Sequence, residues 1–263
     1  MNLASDFARD GYAVVPDVFD RVATDTLNAE AQALAGRDET LASRRIDDVL
    51  AIHFPHKLSP LMREAMVHPG ITDVLTRLVG PNVKCMQSMY FVKQSGKPGQ
   101  AWHQDEYFIP TRDRSLTAAW IALDDATVLN GGLWVLPGSH RPGILWPARK
   151  HDDAEFDPTV MSHGFPYRDE HAVPVEVKCG SVVFFNGYLL HRSLKNRASG
   201  GFRRALVFHY MSAESLLPWT CGDRVPPTQD NRDIVMVAGE DPYAWKGLQD
   251  HHPAYLRREK ASM

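Results

Sequence analysis

Cysteine is scarce in this chain: three residues in 263, Cys85, Cys179 and Cys221, with no C-x-x-C spacing. An odd, scattered set excludes a disulfide framework and fits reduced thiols in a cytosolic compartment. Cys85 and Cys179, in or beside strand-like runs, read as small buried apolar groups. No apolar run approaches membrane-spanning length, and the opening MNLASDFARDGY lacks the apolar core of a signal peptide. A soluble, cytoplasmic protein with no membrane partner is therefore expected. Positive charge is neither abundant nor clustered. With Lys+Arg at 29, Asp+Glu at 32 and a formal net charge of -3, no basic tract could track a phosphate backbone, which excludes nucleic acid as a partner. Low-complexity tracts are missing, and no period of roughly 20–50 residues recurs, which excludes solenoids and propellers. Oligomeric state leaves no mark in the sequence.

What is present is an ordinary globular composition, 44% hydrophobic, on a chain long enough to bury a substantial core. A short helix around Asp6, a break at Gly11 and a strand Tyr12-Ala-Val-Val15 closed by Pro16 open it. From Asp20, a helix N-cap, to Gly36, the residues Val22, Leu27, Ala31 and Leu34 recur at helical spacing. The stretch to about Lys57 mixes charges with Val49, Leu50, Ile52 and Phe54, and reads as a second helix or a loop over an opening. Helix returns from about Ser59 to Leu78, interrupted at Pro69-Gly70. Beyond the Gly80-Pro81 turn the character changes. Strand candidates are Val83 to Lys93, Ala101 to Phe108, Leu116 to Leu123, Leu133 to Leu136, Val173 to Val177, Val182 to Phe185 and Arg204 to Met211, punctuated by glycine turns. Helices followed by at least seven strands predict a mainly β fold with flanking helices. One domain, 1–263, would hold a helical layer (about 1–80), a β-sandwich or jelly-roll core (about 83–211) and a C-terminal cover (212–263). Leu145 to His171 and Pro218 onward are long polar connections of the kind that carry function or cover a site.

Within Ala101 to Phe108, extended chain would throw His103 and Asp105 to one face and Gln104 to the other. An imidazole and a carboxylate so placed are two of the three ligands of a 2-His-1-carboxylate metal site. Alone, in a chain with 12 histidines, His-x-Asp equally suits a hydrogen-bonded surface pair. A second histidine, His191, follows the apolar strand Ser181 to Asn186, and in a jelly roll distant strands can bring it to the first pair. Arg203, on the next strand, would present a planar fork of donors to a carboxylate such as the far end of 2-oxoglutarate.

The motifs Gln87-Ser-Met89-Tyr-Phe-Val-Lys93, Trp102-His-Gln-Asp105, Ala119-Trp120-Ile-Ala-Leu123, Asn130-Gly-Gly-Leu-Trp-Val-Leu-Pro-Gly-Ser-His140, His191-x-Ser193 and Gly201-Phe202-Arg203 span most of residues 83–211. Together they resemble the phytanoyl-CoA dioxygenase family of Fe(II)/2-oxoglutarate-dependent oxygenases. The resemblance implies a double-stranded β-helix (jelly roll, cupin-like) with an N-terminal helical layer. It implies His103, Asp105 and His191 as iron ligands, Arg203 and Ser193 on the distal carboxylate of 2-oxoglutarate, and Trp120, Met89 and Gln87 lining the cosubstrate pocket. The implied cofactors are Fe(II), 2-oxoglutarate and O₂, and the implied reaction oxidises a small organic substrate with release of succinate and CO₂. Halogenating relatives have a small residue at the carboxylate position, so Asp105 implies hydroxylation or a related oxidation. The chain departs from the family in two places. The loop before Arg203 looks one residue longer than in some relatives, which makes Arg204 a rival anchor, and the basic residue that some members supply from the region before Ser59 cannot be placed in this sequence.

Two other readings stand beside this one: a zinc hydrolase on the same three ligands, to which Arg203 would be superfluous, and a catalytically silent β-sandwich binding module. His140 and His209 are expected to make core or surface hydrogen bonds, and His251-His252 to be a solvated pair. The three candidate covers, Arg44 to Lys57, Leu145 to His171 and Pro218 to His252, hold no basic cluster that coenzyme A would require. Phe54, Phe108 and Trp146 are candidate exposed aromatics that would suit a substrate with an apolar part.

Overall fold

The computed structural model of the chain describes residues 3–36, 49–219 and 229–258. Helix α1 (Leu3–Asp10) leads through Gly11 into strand β1 (Tyr12–Val15), and helix α2 (Arg21–Gly36) follows. Asp20 caps α2 as its position predicts, its Oδ1 accepting from the Ala23 N–H at 2.7 Å. One face of α2, Thr24, Leu27, Asn28, Ala31, Leu34 and Ala35, is buried at the i, i+3, i+4, i+7 spacing of an amphipathic helix. Buried Asn28 is satisfied: its amide donates to the Leu123 carbonyl and its oxygen accepts from Tyr90 Oη.

Strand β2 (Val49–His53) comes next, then helices α3 (Pro60–Met66) and α4 (Pro69–Leu78), strands β3 (Val83–Gln94) and β4 (Gln100–His103), and the single helical turn α5 (Asp105–Phe108). Strands β5 (Thr117–Ala122), β6 (Leu133–Val135), β7 (Ala148–Arg149), β8 (Met161–Ser162), β9 (Val173–Val175), β10 (Val182–Asn186), β11 (His191–Ser193), β12 (Phe202–Ser212), β13 (Val235–Ala238) and β14 (Tyr255–Arg258) complete the chain. The eight-stranded sheet runs β1-β10-β5-β12-β3-β2-β14, with β13 also on β3, and a four-stranded sheet runs β4-β11-β6-β9. The non-sequential antiparallel order of these two sheets is that of a double-stranded β-helix, a jelly roll.

The large sheet is covered on both faces, which is why its central strands are apolar throughout instead of alternating. In β5, Ala119 and Ile121 pack outward with Leu27, Met62, Ile71 and Leu75 of the helices, while Ala118, Trp120 and Ala122 turn inward with Leu133, Val135 and Phe185. Burial of each leucine- or phenylalanine-sized side chain contributes about 1.5–3 kcal/mol, so the helical layer fixes the large sheet and the inner cluster ties the small sheet to it.

Three local expectations change. Val49–His53 is neither helix nor loop but a strand on the edge of β3, with Ile52 opposite Tyr90 and His53 opposite Met89; residues 44–48 of that candidate cover lie outside the described residues. Pro69 begins α4 at its first turn, where its missing N–H costs nothing, and His68 Nδ1 accepts from the Gly70 N–H, so the helical break falls two residues earlier. Extended chain stops just after His103, and Asp105–Phe108 winds into α5. Cys85 is buried, Cys179 is half-buried with its thiol on Thr24 Oγ1, and Cys221 lies outside the described residues. No described helix is long and apolar enough to cross a membrane.

Candidate metal centre

Antiparallel pairing of β4 with β11 sets His191 directly opposite His103, and the two imidazole centroids lie 4.0 Å apart. Gln104 keeps extended angles (φ -126, ψ 129), so Asp105 returns to the face of His103 before α5 turns the chain aside. Gln104 itself points away, donating to the carbonyls of Ile144 and Tyr188 and accepting from the Trp146 N–H. Asp105 Oδ1 lies 3.8 Å from His103 Nε2 and 3.6 Å from His191 Nε2. Ligand atoms of the three buried residues all fall within 4.8 Å of one another.

The hydrogen bonds behind these atoms fix which nitrogens face inward. His103 Nδ1 lies 2.7 Å from the Ala101 carbonyl and His191 Nδ1 lies 3.0 Å from the Leu189 carbonyl. A carbonyl only accepts, so both Nδ1 atoms carry a proton, and both Nε2 atoms are turned toward Asp105. Burial, then neighbouring His191, pushes the His103 imidazole down to about 3, which keeps it neutral. Burial pushes the Asp105 carboxyl up, but His191, His209 and His103 outweigh it and hold the group below the usual carboxylate range. Two imidazoles that present Nε2 and one ionised carboxylate are the donor set that a divalent first-row metal takes, with each ligand oriented by an outer hydrogen bond. The outer partner of Asp105 is His209, whose Nε2 donates to Oδ2 at 3.2 Å. His209 is thus a buried hydrogen-bonding group, as expected, although its partner is the ligand carboxylate.

A cavity of about 220 Å³ opens beside the triad. It is lined by Gln87, Met89 and Trp120 of the large sheet, by Ser193 of the small sheet and by Arg203, so every candidate residue reaches one space. The strand pleat turns the two arginines to opposite faces, and Arg203 is the one that lines the cavity. Arg204 faces outward and is held by Asp124 through Nε at 2.8 Å and Nη2 at 2.6 Å. Arg203 faces the cavity at 4% exposure, its Nε without a hydrogen-bond partner and its guanidinium 5.5 Å from the Trp120 ring. Burial pushes it down to about 10.

Sequence reasoning missed several lining groups. Lys93 faces Arg203 across the β3–β12 pair, and period-two alternation from Gln87 and Met89 already pointed to it. His53 lies beside Met89, 7% exposed, stacked 4.3 Å from the Tyr255 ring, with neither nitrogen hydrogen-bonded among the described residues. Nothing in the sequence marked it. Asp157 of the long connection and Arg257 of β14 both line the cavity and meet at 3.1 Å.

Other expectations are corrected. Phe54 is buried, at φ 56, and its ring stacks at 5.3 Å on His252, which is half-buried, while His251 stays exposed as expected. Phe108 does line the cavity, whereas Trp146 packs with Trp102, Leu136 and Leu190 away from it. His140, as expected, makes a hydrogen bond, to the Ala8 carbonyl at 3.3 Å, and lies outside the cavity.

A family model described as Phytanoyl-CoA dioxygenase (PhyH) matches residues 7–205. A phytanoyl-CoA dioxygenase of Arabidopsis thaliana is 34% identical over 164 residues, which are 62% of this chain and 56% of the relative. The match thus spans a little over half of that relative's length. Among solved structures, the non-heme monooxygenase ThoJ in its apo form superposes with a TM-score of 0.73 at 21% identity, covering 91% of this chain and 85% of its own. The epimerase SnoN in complex with Fe3+, alpha ketoglutarate and nogalamycin RO superposes at 0.67 and 22% identity, covering 89% and 97%. At such identities the likeness is one of fold.

Proposed function

The chain belongs to the phytanoyl-CoA dioxygenase family, and on that premise we propose that it is an Fe(II)- and 2-oxoglutarate-dependent oxygenase that hydroxylates a small organic substrate and releases succinate and CO₂. One observation carries the reading: the Nε2 atoms of His103 and His191 and the Asp105 carboxylate share a cavity with the Arg203 guanidinium, whose Nε has no hydrogen-bond partner among the described residues. A hydrolase would have no use for that guanidinium.

His103, Asp105 and His191 would hold the metal and leave coordination positions open. Fe(II) bound there supplies the redox chemistry that couples oxidative decarboxylation of 2-oxoglutarate by O₂ to oxidation of a substrate C–H bond. The chain's own part is orientation. Ala101 and Leu189 carbonyls keep the Nδ1 protons in place, and His209 engages Asp105 Oδ2 so that Oδ1 stays turned toward the imidazoles. Arg203 would grip the distal carboxylate of the keto acid with Ser193 donating beside it, between walls formed by Trp120, Met89 and Gln87. Apolar Phe108, Ile109 and Phe185 line the same cavity and limit the water that reaches it.

About 220 Å³ is below the ~300–1,000 Å³ usual for ligand pockets, which favours a small substrate. His53, with both nitrogens unengaged, suits a substrate that carries a polar group beside an apolar body. The lining cations Arg257 and Arg192 are paired with Asp157 and Asp169, so the phosphates of a coenzyme A ester would find no unpaired partner in them. The Asp105 carboxylate favours hydroxylation over halogenation. The test is anaerobic purification, addition of Fe(II) and 2-oxoglutarate, and measurement of succinate and O₂ uptake across a library of small organic substrates. Succinate formation that vanishes in Asp105→Ala is expected. Tight zinc binding with no affinity for 2-oxoglutarate would refute the proposal.

A further inference from the structure

We infer that Lys93 is a positioning residue for the distal carboxylate of the cosubstrate: its ammonium occupies the Ser193 oxygen, so that the Ser193 hydroxyl keeps its proton to donate into the cavity. The inference rests on reading that cavity as a 2-oxoglutarate site. Lys93 continues the inward face of β3 after Gln87, Met89 and Phe91. Its Nζ donates to Ser193 Oγ at 2.8 Å, to the Leu194 carbonyl at 2.8 Å and to the Gly131 carbonyl at 3.1 Å. Those are three acceptors for the three N–H bonds of an ammonium. The backbone N–H of Gln100 donates to the same Ser193 Oγ at 3.1 Å.

A hydroxyl oxygen has two lone pairs, and here both are engaged. Its O–H can then only donate, and among the described residues it donates to no protein acceptor. Ser193 lines the cavity with Arg203, where an incoming carboxylate would take that proton in a charge-assisted bond. The Asn130-Gly131-Gly132 turn is shaped to this arrangement. Gly131 has φ 77, and a Cβ there would stand 2.4 Å from the Leu194 oxygen and 3.2 Å from Lys93 Nζ. Burial and the adjacent Arg203 guanidinium push the Lys93 amine well below its ordinary value. A carboxylate seated against Arg203 offsets that push and keeps Lys93 in the ammonium form, which leaves Ser193 its proton. The device therefore serves a 2-oxo dicarboxylate and does nothing for a 2-oxo monocarboxylate.

Calorimetric titration of the anaerobic Fe(II)-loaded protein with 2-oxoglutarate, and with 2-oxopentanoate, which lacks the distal carboxylate, tests this. Lys93→Met and Ser193→Ala should each weaken 2-oxoglutarate binding by about tenfold to a hundredfold, the worth of one hydrogen bond to a charged group. The double variant should lie within about twofold of the weaker single variant, because Lys93 acts through Ser193. Affinity for 2-oxopentanoate should stay unchanged, and Lys93→Gln, which keeps a donor, should recover part of the loss. Additive losses in the double variant, or equal losses for the two ligands, would overturn the inference and leave the cosubstrate reading standing. Wild-type protein that binds neither ligand would sink that reading and the inference together. Should Lys93→Met fail to fold, Lys93→Gln against the same two ligands decides: a loss confined to 2-oxoglutarate supports the inference, and equal losses refute it.

Discussion

Replacing Arg203 with methionine should make the metal-free protein more stable while destroying its affinity for 2-oxoglutarate; the same change at Arg204 should destabilise the protein and leave that affinity unchanged. Burial lowers the Arg203 guanidinium to about 10, which at about 1.4 kcal/mol per tenfold amounts to roughly 3 kcal/mol carried against the charged side chain. No carboxylate hydrogen-bonds to it among the described residues, and Asp124, engaged by Arg204 on the outer face, offsets only part of that cost. Methionine fills a similar volume, keeps contact with Trp120 and removes the charge, and the melting temperature should rise by roughly 5 °C. Affinity for 2-oxoglutarate should fall by about thirtyfold to several thousandfold, since a desolvated charge pair is lost, worth about 2–5 kcal/mol. Arg204→Met instead strands Asp124, with both side chains 17% exposed, and should cost about 2 kcal/mol, between the values of surface and buried pairs, with no change in 2-oxoglutarate affinity. Scanning calorimetry and titration calorimetry on the same preparations read both quantities. An Arg203→Met protein that melts several degrees below wild type, or binds 2-oxoglutarate within twofold of it, would refute the reasoning.

Acidification should destabilise the metal-free protein. Burial first, in each case, holds His53 and His56 near about 4 and His103 near about 3. Unfolded imidazoles take up protons near 6.5, so the stability present above that value is lost as the pH falls toward the folded values, about 2 kcal/mol each by pH 5. Glu106, pushed up to about 7 by burial, works oppositely and regains about 2 kcal/mol over the same interval. Denaturant unfolding should therefore show a net loss of about 4 kcal/mol between pH 7 and pH 5, and a flat profile would contradict the burial of these imidazoles. Gly131→Ala should lower the melting temperature and weaken 2-oxoglutarate binding together, because a Cβ at φ 77 collides with the Leu194 oxygen; wild-type behaviour in both measurements would contradict the close approach. Fe(II) at a hundredfold excess over its dissociation constant should stabilise wild type by about 2.7 kcal/mol, and Asp105→Ala should lose that gain in a thermal melt.

Much of the site could be read along strands, and much less of it across them. Alternation predicted that His103 and Asp105 share a face, and this survived the end of β4 only because Gln104 stays extended before α5. Alternation also groups Gln87, Met89 and Lys93 on one strand, and Arg203, Val207 and His209 on another, but not which face turns inward. That is decided by register, Lys93 opposite Arg203 and Gln87 opposite His209, and by Asp124, which engages Arg204 from outside. The rivalry of Arg203 and Arg204 was therefore insoluble from sequence. His53 was hidden for a related reason: Val49–His53 becomes a strand because β3 offers it an edge, a tertiary influence that local composition does not record. His252 looked solvated because the strained turn at Phe54, which brings an aromatic face beneath it, leaves no trace in residue types.

Anomalous diffraction at the iron edge, from crystals loaded anaerobically with Fe(II) and soaked in 2-oxoglutarate, tests the central claim most directly. One strong peak is expected, bound by His103 Nε2, His191 Nε2 and the Asp105 carboxylate, with the far carboxylate of the keto acid against Arg203 and Ser193. A peak elsewhere, or a keto acid whose far end leaves Arg203 untouched, would contradict it.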